Sequence, residues 1–196
     1  MRILLRSALA LLPLFLAGCF FENPLTSKPS DNLNTWLLGE WEHRDKNGAV
    51  SRALVTPLSK DTYRVDVSLA KRGGGRTYNF EAWGSRVGEF TFHTLRNMQP
   101  APDLPEGAFI FLHAQLVDQN TITLRVPILT SPQSSISKSL RSELRARLKD
   151  NALFEPGKEK IWKRTSEVYW ERDGQTGLFR PLRYLVPDPQ IKTKTP

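Results

Sequence analysis

The chain reads as mostly β: an antiparallel up-and-down meander closing into a barrel, with one late amphipathic α-helix and a β-sandwich as the alternative closure. Three observations carry this. Apolar and polar residues alternate with period two through seven short segments between Trp36 and Ile128. Gly, Pro, Asn and Asp clusters separate those segments, as turns require. One stretch, Ile136 to Leu148, switches to a spacing of four, which puts its apolar residues on one side of a helix.

From Trp36, Leu37, Gly39, Trp41 and His43 alternate with Leu38, Glu40 and Glu42, and the strand ends at Asp45-Lys46-Asn47-Gly48, an Asn-Gly hairpin signal. Val50 to Thr56 follows and runs into the turn Pro57-Leu58-Ser59-Lys60-Asp61. Thr62 to Leu69 sets Tyr63, Val65, Val67 and Leu69 against polar neighbours, and Gly73-Gly74-Gly75 breaks it. Thr77 to Trp83, Glu89 to Leu95, Ala108 to Val117 and Thr121 to Ile128 continue the series. The helix spans about 132–150, begun by Ser131-Pro132, with Ile136, Leu140, Leu144 and Leu148 on its stripe and Lys138, Arg141, Arg145, Arg147 and Lys149 around them. After Pro156-Gly157 the strand period returns over Lys160 to Glu171 and Phe179 to Val186. A sheet with one apolar face must close on itself or stack on another, and closure removes exposed edges.

These elements form a single domain over residues 35–187, with a frayed tail at 188–196. A hydrophobic content of 39% and a charged content of 24% describe a folded body rather than a disordered chain. The formal charge of +8 suggests attraction to anionic lipid headgroups or lipopolysaccharide. Nucleic acid is excluded as a partner, since no recognition motif is present.

The N-terminus carries an address. Arg2 and Arg6 precede an apolar run from Ala8 to Ala17, too short to span a bilayer, which needs about 20 apolar residues. Leu16-Ala17-Gly18-Cys19 follows, and Cys19 is the only cysteine. This segment resembles the lipobox of bacterial lipoproteins. The resemblance implies a signal peptide over residues 1–18, cleaved before Cys19, and two or three acyl chains (palmitate among them) on the cysteine. One chain binds only marginally, and two or more give a persistent lipid anchor. Phe20, rather than Asp, after the cysteine implies the outer membrane of a Gram-negative cell envelope, on its periplasmic face. Residues 19–34, rich in Pro, Ser and Asn, read as a flexible tether, with Phe20 and Phe21 beside the bilayer interface.

Gly39-Glu40-Trp41 at the first strand, after the apolar lead-in Trp36-Leu37-Leu38, resembles the G-x-W signature of lipocalins and other calycins. The resemblance covers most of residues 36–186 and implies a calycin-like barrel. There the glycine admits the chain to the barrel and the tryptophan plugs its closed end, with a basic side chain from a late strand laid across it. The candidates are Arg180 and Arg183, and parity with Leu182, Tyr184 and Val186 favours Arg180.

No catalytic motif is present. His43, His93 and His113 fall on separate strands without metal-ligand spacing, so no metal and no cofactor are expected. No G-x-S-x-G elbow occurs, and the lone thiol is consumed by lipid. Glu40 with Glu42, and Glu167 with Glu171, are explained by alternation on a solvated strand face. Lys71-Arg72-Gly73-Gly74-Gly75-Arg76 suits an anion, but no helix start follows it, so it reads as a hairpin tip. Phe80, Trp83, Phe90, Phe92, Phe109, Phe111 and Trp162 must face something apolar: a filled core, or a calyx holding a small hydrophobic ligand. The expected function is a lipid-anchored, non-enzymatic envelope lipoprotein with a lipocalin-like domain that binds such a ligand. The alternative is an adaptor whose basic helix docks onto an envelope protein partner or anionic lipid.

Overall fold

The computed structural model describes residues 20–70, 75–166, 170–172 and 179–181. Residues 1–19, with the expected signal and Cys19, the glycine-rich segment 71–74, Glu167, Arg183 and residues 188–196 lie outside them. Eight strands form a closed antiparallel barrel in chain order: β1 (Gly39–Arg44), β2 (Val50–Pro57), β3 (Thr62–Leu69), β4 (Arg76–Val87), β5 (Phe90–Asn97), β6 (Phe109–Asp118), β7 (Thr121–Arg125) and β8 (Lys160–Ser166). β1 pairs with both β2 and β8, so no edge is left open. Because neighbours alternate in direction, a 3₁₀ turn at Thr35–Leu37 and the β2–β3, β4–β5 and β6–β7 hairpins share one end, called the lower end. The β1–β2, β3–β4, β5–β6 and β7–β8 connections share the upper end.

Several boundaries differ from expectation: the first strand starts at Gly39 after a 3₁₀ turn, β4 runs on to Val87, β7 stops at Arg125, and two late differences change the architecture. The expected strand from Lys160 to Glu171 is divided: β8 stops at Ser166, and β9 (Trp170–Arg172) leaves the barrel to pair with β10 (Phe179–Pro181). The helix α1 (Ser137–Lys149) starts later than Pro132. The preceding residues serve as a latch instead: the Thr130 and Ser131 N–H groups donate to the Glu143 carboxylate, at 2.6 and 3.0 Å, and the Gln133 carbonyl accepts from Glu22 N–H at 2.9 Å.

The barrel wall is apolar on both faces along β4–β6. Tyr78, Phe80, Ala82, Leu95 and Ile110 belong to the inner cluster. Their strand neighbours Trp83, Val87, Phe92, Phe109 and Phe111 belong to a second, outer cluster closed over by Leu140 and Leu144 of α1. The four-residue repeat of the helix thus finds its partner on the outside of the sheet.

The segment expected as a flexible tether is a strap. Phe21 exchanges two backbone hydrogen bonds with Phe109, each 2.8 Å, and stacks on Phe111 at 5.0 Å. Leu25 is fully buried at 0% exposure. Its carbonyl accepts from the Arg141 guanidinium at 2.5 Å. Farther along, Ser30 N–H donates to the Gly84 carbonyl at 2.9 Å, and Asp31 accepts from Thr91 and Arg86. Gly84 permits this approach, because a Cβ there would stand 2.9 Å from Asp31 Cβ. Proline and serine mark the segment as irregular, yet Phe21 and Leu25 find the apolar outer face, and irregular backbone can be as buried as a strand.

Candidate functional site

The lower end is built around Trp41. Gly39 takes φ +127°, open to glycine but rarely to L side chains, and this turns the chain from the 3₁₀ turn into β1. The Trp41 indole N–H donates to the Leu37 carbonyl at 2.8 Å. The Arg164 guanidinium lies 4.5 Å over the indole ring, and its two terminal nitrogens donate to the Leu38 and Trp36 carbonyls at 2.6 and 2.7 Å. A planar fork satisfies two carbonyls and a π-face at once, which a lysine could not. The basic residue across the tryptophan therefore comes from β8, earlier in the chain than Arg180 or Arg183. Arg180 sits on β10 in the separate sheet, paired with Glu171 of β9, and Arg183 lies outside the described residues.

Above this floor the barrel is hollow. The cavity has a volume of about 240 Å³. Its wall is aliphatic and aromatic: Val65, Val67 and Leu69 of β3, Phe80 of β4, Leu112 and Ala114 of β6, and Trp162 of β8 are representative. Two polar rings lie low in the wall. The Tyr63 hydroxyl accepts from Asn34 N–H at 2.5 Å, and burial pushes its pKa up to about 12. The His93 ring stands edge-on to Tyr63 at 6.1 Å. Toward the upper end Lys158 and Lys160 line the cavity. Lys158 pairs with Glu155 at 3.7 Å. Burial lowers the Lys160 pKa, opposed by the charge of Asp45 on the β1–β2 hairpin.

Of the seven aromatics expected to line a calyx, Phe80 and Trp162 do. Trp83, Phe92, Phe109 and Phe111 point the other way, under α1 and the strap. Phe90 is 40% exposed, its ring against His113. Period-two alternation separates the two faces of a strand but does not name the inner one, and here both are apolar. The lining that was missed is mostly aliphatic. Its signal was present in Tyr63-Arg64-Val65-Asp66-Val67-Ser68-Leu69, whose charged and polar alternates leave a single side free to face inward.

The three histidines lie apart. His43 packs on Trp162, His93 faces the cavity and His113 sits in the outer wall against Phe154. Among the described residues no group of three or more His, Cys, Asp or Glu converges on a metal position. Two of the basic residues around the helix stripe are engaged within the fold: Arg141 holds the strap, and Arg147 pairs with Glu143 at 2.9 Å.

His93 carries a pH signature. Burial, with a smaller contribution from the charge of His113 and against that of Asp31, lowers its pKa to about 4. The unfolded chain takes up this proton near pH 6.5 and the folded chain does not, so stability falls as pH drops from about 6.5 toward 4. Urea unfolding at pH 7 and pH 5 should show the wild-type midpoint falling, and His93→Phe should flatten that fall.

No family model, no curated protein and no solved structure matches this chain.

Proposed function

We propose that this chain is a lipid-anchored protein of the cell envelope, carried by Cys19, whose barrel binds a small hydrophobic ligand. The observation that supports it is the cavity: an apolar interior with two cationic side chains near one end. A dry apolar cavity of roughly 150 Å³ accepts benzene, and drug-sized ligands occupy roughly 300 Å³ or more. The volume of about 240 Å³ lies between, which suits one acyl chain or one ring system. Burial of apolar ligand surface contributes roughly 25 cal/mol per Å², enough for binding without any chemistry on the ligand. The docking alternative draws less support, because Arg141 and Arg147 are occupied in holding the strap and the helix latch.

Filling the cavity tests the reading. Ala114 lines it, and Ala114→Trp adds bulk where space exists, so the fold should survive with near wild-type stability. Titration with N-phenyl-1-naphthylamine should give saturable binding to wild type and a loss of about tenfold or more in the variant. Equal affinity in both proteins would remove the cavity as the binding site.

A further inference from the structure

We infer that the ligand of this cavity is an uncharged apolar molecule bearing a hydroxyl group, and that His93 is the side chain that recognises it. The inference deepens the cavity-binding reading above and rests on it. His93 lines the cavity at 6% exposure. Its ring stands edge-on to Tyr63, and among the described residues no hydrogen bond reaches either of its nitrogens. Buried polar side chains normally have a partner. The polar groups around His93 do have theirs. Thr91, two residues earlier on the same side of β5, donates to Asp31 at 2.5 Å. The Tyr63 hydroxyl is held by Asn34, and the Trp41 indole by the Leu37 carbonyl. Asp31, whose charge is felt at His93, is engaged with Thr91 and Arg86. The hydrogen bonds of His93 are therefore left to whatever fills the cavity. Trp162 lines the same cavity, and its indole N–H is buried without a partner, so a plain hydrocarbon leaves two side chains of the wall unbonded.

The chemistry of the ring selects the ligand. Burial keeps the imidazole uncharged at pH 7, with one N–H and one bare nitrogen. A hydroxyl both donates and accepts, so it suits either nitrogen, whichever carries the proton. Trp162 offers a donor alone. A carboxylate would bring its charge to a ring that carries none, and burying a charge without an opposite one is costly. Away from His93 even a hydroxyl is a liability, because it gives up its bonds to water on entering an aliphatic wall. Preference for the hydroxylated member of a matched pair is therefore the mark of a hydrogen bond inside the cavity, since hydrophobicity alone favours the other member.

The test uses the full chain carrying Cys19→Ser, so that no detergent or bilayer competes for the probe. Bound N-phenyl-1-naphthylamine is displaced with thymol, with para-cymene (the same skeleton without the hydroxyl) and with cuminate, a carboxylate of similar shape. The chain with His93 intact should release the probe at about tenfold lower thymol than para-cymene. With His93→Phe added, the two should displace alike. Equal displacement while His93 is intact overturns the hydroxyl assignment and leaves cavity binding standing. A preference that survives His93→Phe overturns the assignment to His93, and cuminate displacing better than thymol overturns the uncharged class. Absence of saturable probe binding removes the cavity reading itself. The NMR signals of the His93 ring nitrogens give a check that needs no core substitution. Thymol should shift them well beyond any effect of para-cymene, and equal effects of the two overturn the contact.

Discussion

Truncating Trp41 to alanine should cost about 3–5 kcal/mol of folding stability, among the largest effects of any single change in this chain. The side chain is buried at 2% exposure. Its loss opens the floor of the cavity and removes the ring beneath Arg164. A desolvated cation–π contact contributes roughly 2 kcal/mol, so the guanidinium loses a partner as the core loses volume. Arg164→Ala should cost a comparable amount by another route: it strips donors from the Leu38 and Trp36 carbonyls, each worth about 1–3 kcal/mol if left buried and unbonded. Arg164→Lys restores the charge without the fork and should recover only part of the loss. Because the two residues touch, the double variant should fall short of the sum by about 0.5–3 kcal/mol. Urea unfolding of the four proteins measures this directly. Strict additivity would mean that Trp41 and Arg164 support the fold independently.

Leu25→Ala should destabilise the barrel by about 2–5 kcal/mol, although Leu25 precedes the first strand and belongs to no helix or strand. The residue is fully buried among Phe21, Trp83, Phe92 and Leu140, so its truncation leaves a void between sheet, strap and helix. With a mid-range denaturant slope of about 2 kcal/mol per M, the urea midpoint should fall by about 1–2.5 M, the slope itself staying near wild type. A flexible tether would give no shift at all.

Much of the wall was legible. The alternation in Thr62–Leu69 became β3 with Tyr63 buried, and the Asn-Gly signal became the β1–β2 hairpin, where Asp45 accepts from the Asn47 and Ala49 N–H groups at 2.8 Å. The strap was not legible, because its buried residues follow no period and its composition matches that of an exposed loop. Nor was Arg164, which sits in a strand bearing Lys160, Lys163 and Arg164; three cations within five residues look alike until closure puts one of them over a tryptophan. The division of the expected strand at Ser166 was equally hidden, since local alternation runs on after pairing with β1 has ended.

Alternation by itself determined that this chain builds antiparallel β-structure with one helix, because a period of two or of four is written into each short segment. Which face of β4, β5 and β6 looks inward was decided only by the tertiary structure. The physical reason is that the wall is apolar on both sides over β4–β6. The inner side encloses a cavity and the outer side is sealed by helix and strap, so hydrophobicity alone left the two equivalent until the barrel closed.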